Sequence, residues 1–297
     1  MRWGKMAEQP EVYVNGRFVS ADAAGISPLE RGFTLADGVF ETMVALGRRV
    51  FRIDDHLARL AGGAALLGLP LPSRTELTEA LQETWRRSGL AEAALRLTVA
   101  RGPGAGRGLP PPEGAEPTVV VRVHELLREP ASADSGVSLH TCSFPRNERS
   151  PLCTAKFLAY TEAISALVEA RRAGAGDALW RNTAGNVVSA TTSNLFLVRQ
   201  GELVTPRLED GALPGVARRT VIELASKSGV KVAEEPVSPA ALESAEEAFL
   251  TNVVRGLVPV VTVDGRSVGS RVPGPLTREL ADAYWREVDV ATGLRPA

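Results

Sequence analysis

The sequence predicts a mixed α/β protein of two domains. Three observations carry that expectation: short runs with a side-chain period of two alternate with longer runs of period 3.6, the chain has 297 residues, and a polar stretch at residues 128–136 divides it into halves of comparable size. The halves are residues 1–127 and 137–297, and the stretch between them, Arg-Glu-Pro-Ala-Ser-Ala-Asp-Ser-Gly, reads as a linker.

In the first half, residues 11–19 alternate about Asn15-Gly16, the pair that favours a two-residue hairpin turn. Residues 39–46 and 49–53 form a second β-like pair around Gly47. Asp54 or Asp55 then caps a helix carrying His56, Leu57, Leu60, Ala64 and Leu67, ended by Gly68 and Pro70. A second helix spans about 74–87 with the stripe Leu77, Leu81, Trp85. Strands at 94–100 and 118–124 bracket a loop, 101–117, rich in glycine and proline. The second half starts with a strand at 137–142 and a helix at about 154–172, striped by Phe157, Tyr160, Ile164, Leu167 and Val168. Strands at 177–181, 194–198 and 202–204, a helix at 215–228 and an apolar run at 248–261 with at least one strand complete it.

Composition excludes several classes of function. Thirty-four cationic against thirty-five acidic residues leave a net charge of -1, with no electrostatic footprint for nucleic acid or an anionic membrane. Two cysteines, Cys142 and Cys153, make no disulfide framework, and with three histidines they show no metal-binding spacing, so no metal is expected. No segment resembles a signal peptide or approaches the roughly 18 apolar residues of a membrane span. A reducing cytoplasm is the expected home and a small molecule the expected partner.

Only four of the thirty-four cations are lysines, Lys5, Lys156, Lys227 and Lys231. Arginine has replaced lysine wherever a bare positive charge suffices, and what lysine alone offers is an amine that can lose its proton and form an imine. Lys156 stands among Ala155, Phe157 and Leu158, in the first turn of the expected helix, where the helix dipole and apolar neighbours both disfavour an ammonium. Position alone favours the plainer reading of a helix lysine that snorkels to water. Leu213-Pro-Gly-Val-Ala-Arg218 opens a helix with a glycine and free N–H groups, a site suited to an anion, and Thr251-Asn252 ends an apolar strand with a hydroxyl and an amide. Each also reads as an ordinary cap or turn. Arg59 lies one helical turn from His56 and reads more readily as a solvated or ion-paired charge than as a phosphate clamp.

Taken in order, these segments resemble the fold-type IV pyridoxal-phosphate enzymes, among them branched-chain aminotransferases, D-amino-acid aminotransferases and 4-amino-4-deoxychorismate lyases. Residues 31–41 (RGFTLADGVFE) are similar to the family's early motif, 51–60 (FRIDDHLARL) to its phosphate-arginine helix and 150–160 (SPLCTAKFLAY) to its Schiff-base segment. Residues 193–198, 203–206, 213–218 and 249–252 follow in the family's order. The resemblance implies a two-domain α/β fold with pyridoxal 5′-phosphate between the domains, and a homodimer that completes each site. It implies that Lys156 bonds the cofactor's aldehyde carbon and that Arg59 pairs with its phosphate. The turns at Gly215, Val216 and Ala217 and at Thr251 and Asn252 supply further phosphate donors, and Tyr160 bonds the phenolic oxygen. Phe40, with Arg107 or Arg101 from the long loop, contacts an amino-acid-like substrate.

One position departs from the pattern. Where the family usually has a glutamate facing the pyridine nitrogen, five residues before Asn194, this chain has Ser189. Ala159 also stands where an asparagine is common. A hydroxyl holds a pyridinium charge less well than a carboxylate, which slows transamination. Residues 249–260 (FLTNVVRGLVPV) resemble the aminodeoxychorismate lyases most, so a lyase releasing pyruvate and leaving 4-aminobenzoate for folate synthesis ranks first. A branched-chain or D-amino-acid aminotransferase follows closely, and a cofactor-binding homologue with little turnover stays open.

Overall fold

The computed structural model describes residues 11–104, 108–128, 136–270 and 273–295, and the chain divides into two units. The first comprises residues 1–127 with 155–159 and 291–297, and the second comprises 128–154 and 160–290. Residues 155–159 therefore pack with the first unit, which corrects the expectation that Lys156 belongs to the C-terminal domain. Residues 129–135 of the expected linker lie outside the described residues.

The first unit opens with β1 (Val12–Val14) and β2 (Arg17–Val19), joined through Asn15 and Gly16, both at positive φ as the sequence demands. There follow α1 (Arg31–Leu35), β3 (Gly38–Leu46), β4 (Arg49–Val50), α2 (Ile53–Leu67), α3 (Arg74–Ser88), β5 (Ala93–Ala100) and β6 (Thr118–Glu125). The strands form an antiparallel sheet in the order β2-β1-β6-β5-β3-β4. Alternation sends Val39, Met43, Leu95, Leu97, Val99, Val121 and Val123 to one face, where Leu57, Leu60 and Ala64 of α2 and Leu77 and Leu81 of α3 cover them. The helix α3 begins with a complete capping box between Ser73 and Glu76. By contrast, α2 is capped by neither Asp54 nor Asp55: its N-cap is Arg52, in the left-handed region at φ 47°, and both aspartates lie inside the first turn, where they complement the helix dipole.

Ala36, at φ 55°, is the left-handed C-cap of α1. A left-handed alanine costs about 1–2 kcal/mol, and glycine gives back about 0.5–1 kcal/mol as extra freedom in the unfolded chain. Ala36→Gly should therefore raise the denaturation midpoint by a stability gain of about 0.5–1 kcal/mol, and a lower midpoint would show that the Ala36 methyl packs usefully.

The second unit holds β7 (Val137–Thr141), α4 (Thr161–Arg172), β8 (Asp177–Arg181), β9 (Val187–Ala190), β10 (Asn194–Arg199), β11 (Glu202–Pro206), α5 (Val216–Lys227), β12 (Val232–Glu235), α6 (Pro239–Glu243), β13 (Glu247–Asn252), β14 (Gly256–Val263), β15 (Arg266–Ser267) and α7 (Pro275–Thr292). Because β9 pairs with both β8 and β10, the path β10-β13-β14-β7-β8-β9 closes on itself, with β11 and β12 extending from β10 and β15 from β14. The apolar stripe expected along the helix after Lys156 is not a core face: Ile164 and Val168 are exposed, and α4 buries Ala166 and Ala170 instead.

Candidate active site

Lys156 does not lie in a helix. Residues 151–154 make a single 3-10 turn, α4 starts only at Thr161, and residues 155–159 between them meet β3 through an isolated antiparallel bridge of Phe157 with Val39. The short β4 pairs with Ala45 and Leu46 alone, which leaves the start of β3 open on that edge. Residues 155–159 fill it: Phe40 donates its N–H to the Lys156 carbonyl at 3.0 Å, and Leu158 donates to the Gly38 carbonyl at 3.0 Å. Glycine is required here, because a Cβ on residue 38 would lie 2.6 Å from the Val99 carbonyl and 2.8 Å from Leu158. The helix-dipole argument for Lys156 thus falls, and a strand-like pairing fixes the residue instead.

Alternation sets what each side chain meets. Phe157 joins Val39 in the core of the first unit, whereas the Lys156 ammonium lies over the Phe40 ring, 4.7 Å from its centroid. The Arg96 guanidinium lies over the same ring at 3.7 Å. Each such contact is worth about 0.5–2 kcal/mol and places a cation without consuming its hydrogen-bond donors. The expected substrate contact Phe40 is therefore a buried platform shared by two cations. Arg96 escaped the sequence reading although it interrupts an apolar strand; its signal is local, but its pairing with Thr42, close to Phe40 on β3, is not.

Behind this platform, on the helix-covered face of β3, lies Glu41. It is fully buried and binds three donors: Arg59 Nε and Nη2, each at 2.7 Å, and His56 Nδ1 at 2.8 Å. Burial works to raise its pKa, but the bonds from His56 and Arg59 prevail and hold it at about 2. Burial pushes the His56 pKa down; the bond to Glu41 opposes this, while the charges of Arg59 and Lys156 add to it. The expected phosphate ligand Arg59 is thus already paired on one edge.

The alternative substrate arginine Arg101 is spent on architecture. It is buried, its Nε and Nη2 bind Asp37 at 2.8 and 3.1 Å, and its Nη1 and Nη2 reach the Gly68 and Leu67 carbonyls at 2.9 and 2.7 Å, closing the end of α2. That corrects its expected role as a carboxylate ligand. Arg107 lies outside the described residues.

In the second unit, Ser189, Asn194 and Thr251 stand side by side on β9, β10 and β13. Asn194 donates to the Leu213 carbonyl at 2.9 Å and so holds the turn before α5. A Cβ on Gly215 would fall 2.1 Å from the Asn194 oxygen, so only glycine lets α5 start there. The α5 N-terminus, led by Val216 and Ala217, has no side-chain cap, and the buried Thr251 hydroxyl has no hydrogen-bond partner among the described residues. An unpartnered buried hydroxyl and an uncapped helix start are the donors an anion needs. Asn252, the other expected donor, is committed: its amide binds Ser193 at 3.0 Å and its oxygen accepts from the N–H groups of Val254 and Arg255. Tyr160 is half-buried as the residue preceding α4.

Comparison with known proteins shows the family and the fold. The sequence profile of the class IV amino-transferases matches residues 38–263. A Methanocaldococcus jannaschii protein provisionally named a branched-chain-amino-acid aminotransferase is 33% identical over 276 residues, covering 92% of this chain and 95% of its own. A branched-chain amino acid aminotransferase from Thermoproteus uzoniensis, solved with norvaline, superposes with a TM-score of 0.85 at 30% identity, covering 96% of each chain. Another branched-chain amino acid aminotransferase, solved with pyridoxamine 5′-phosphate, superposes with a TM-score of 0.90 at 28% identity, covering 98% of this chain and 97% of its own. A Legionella pneumophila structure provisionally named a 4-amino-4-deoxychorismate lyase superposes with a TM-score of 0.82 at 28% identity, covering 90% of this chain and 97% of its own. The chain belongs to the class IV amino-transferases, enzymes whose cofactor is pyridoxal 5′-phosphate.

Proposed function

We propose that this protein transfers the amino group of an amino acid. One observation carries the reading: Lys156 and Arg96 both contact the Phe40 ring, so one aromatic side chain positions an amine and a guanidinium, a cation suited to an α-carboxylate. The branched-chain aminotransferases among its relatives favour this order over the lyase reading that the 249–260 motif favours.

The donor set fits the cofactor. In the second unit, the Thr251 hydroxyl and the first N–H groups of α5 are donors of the kind its phosphate needs; in the first unit, Arg59 is the cation that the family resemblance assigns to it. When bound, pyridoxal phosphate supplies an aldehyde for an amine and a ring that accepts the electrons of a deprotonated carbon. Lys156 is the amine that would hold the aldehyde carbon, and the base that would carry the proton from the substrate's α-carbon. Arg96 holds the substrate carboxylate and thereby fixes which bond at that carbon is presented.

A second reading, pyruvate elimination, has one observation in its favour. Ser189, buried beside Asn194, has a hydroxyl that can bond the ring nitrogen but cannot keep it charged. Elimination, which hands its electrons to a leaving group, demands less of the ring than transamination does. The two are separated by mixing the cofactor-loaded protein with L-valine or D-alanine, or with aminodeoxychorismate, and assaying keto acid and pyruvate. Keto acid from an amino acid is expected, rising about tenfold in Ser189→Glu as a charged bond replaces a neutral one. Pyruvate from aminodeoxychorismate without any keto acid from the amino acids would transfer the assignment to the lyase.

A further inference from the structure

The Glu41 cluster carries two costs that stability alone does not explain. A buried ion pair is usually no better than packed apolar side chains, because desolvation offsets the attraction. His56 is fully buried as well, and its Nε2 has no hydrogen-bond partner among the described residues. Its tautomer follows from its neighbour: ionised Glu41 can only accept, so Nδ1 carries the proton and Nε2 is a bare acceptor. Apolar residues at the two positions would avoid both costs.

What the cluster provides is orientation. Glu41 sits in the middle of β3, whose neighbours hold the backbone, and grips Arg59 through both carboxylate oxygens while His56, one turn away on α2, binds the same carboxylate. The fork geometry fixes the guanidinium plane. Charge works the other way, because a carboxylate so near Arg59 cancels the cation that a phosphate dianion seeks. Orientation and cancellation have opposite signs, so the balance between them is measurable.

We propose that Glu41 is a positioning residue for the cofactor's phosphate: braced by His56, it holds Arg59 in one orientation, and this pre-organisation outweighs the repulsion between its own carboxylate and the phosphate. The inference rests on the reading that Arg59 meets the phosphate. Its test compares pyridoxal phosphate with pyridoxal, which lacks the phosphate, by fluorescence titration of the cofactor-free full chain, with folding checked by circular dichroism. Glu41→Asp keeps the charge but is one methylene short of the two-point grip, and Glu41→Gln keeps the length but loses the charge. Both should lower affinity for pyridoxal phosphate by about tenfold and leave that for pyridoxal unchanged. If either folded variant binds pyridoxal phosphate as tightly as the parent or more so, the proposal is overturned, and equal losses for both ligands overturn it by making Glu41 a residue of the fold only. Should Glu41→Gln not fold, Glu41→Asp decides alone. Separately, an Arg59→Ala protein that keeps the parent's preference for the phosphorylated ligand would remove Arg59 from the phosphate and sink the underlying reading instead.

Discussion

Lys156→Ala should lower turnover with any amino acid by about 10⁴-fold or more, with kcat bearing the loss, because in the proposed function one amine both holds the cofactor carbon and moves the α-proton. Folding should be nearly untouched. The contacts that place residues 155–159 run through backbone groups, Phe40 N–H to the Lys156 carbonyl and Leu158 N–H to the Gly38 carbonyl, and through Phe157 in the core. The ammonium of Lys156 over the Phe40 ring is worth about 0.5–2 kcal/mol. Lys156→Arg is the sharper control, since it keeps the charge and the ring contact but not the removable proton. It should be as inactive as Lys156→Ala while matching the parent's melting temperature. Turnover within about tenfold of the parent in either variant would show that the amine is elsewhere.

Asp37→Ala should cost about 3–5 kcal/mol of stability, a fall in melting temperature on the order of 10 °C. Asp37 is the counter-charge of two nearly buried guanidiniums, Arg31 at 2.9 Å and Arg101 at 2.8 Å. Each of those arginines ties a different segment: Arg31 binds the Leu109 carbonyl at 2.8 Å, and Arg101 binds the end of α2. Removing the aspartate strands both charges at once, whereas Asp37→Asn keeps acceptor geometry and should lose roughly half as much. The effect depends on pH with a definite sign. Burial raises the Asp37 pKa, but the bonds from Arg101 and then Arg31 prevail and leave it below its ordinary value of 3.8. The folded pKa lies under the unfolded one, so the stabilisation is complete above the unfolded value and is lost as pH falls through the folded pKa. The parent and Asp37→Ala should therefore differ most at neutral pH and converge in acid. A gap that widens on acidification would contradict this assignment.

Local chemistry reveals much of the fold and only part of the site. Asn15-Gly16 specifies its hairpin, Ser73 with Glu76 specifies the start of α3, and the alternation in residues 93–100 and 118–125 marks paired strands. α7 has comparable local signals, a proline in its first turn followed by Leu280, Tyr284 and Val288 at intervals of four. The failures come where pairing over a long sequence distance overrides local spacing. Phe157, Tyr160, Ile164 and Val168 are spaced as a helical stripe, yet Phe157 is drawn into register with Val39, more than a hundred residues earlier, and the helix starts after it. The same distance hides the site. Glu41 is in phase with Val39 and Met43, which marks a buried charge, but nothing local says that His56 and Arg59 turn toward it. Ser189, Asn194 and Thr251 become neighbours only through strand order. Arg101 misleads for the opposite reason: an arginine beside a glycine-rich loop has the composition of a ligand-binding residue, and only the fold shows its donors facing Asp37 and α2.

Lys156 is expected to carry the amine that bonds the cofactor. Reduction of the cofactor-loaded protein with borohydride, followed by proteolysis and mass mapping, tests it directly, because reduction fixes a pyridoxyl group on whichever lysine holds the aldehyde carbon. The sequence offers four lysines. The pyridoxyl mass is expected on the peptide containing Lys156 and on no other. A label on Lys227 or Lys231, or none after incubation with pyridoxal phosphate, would contradict it.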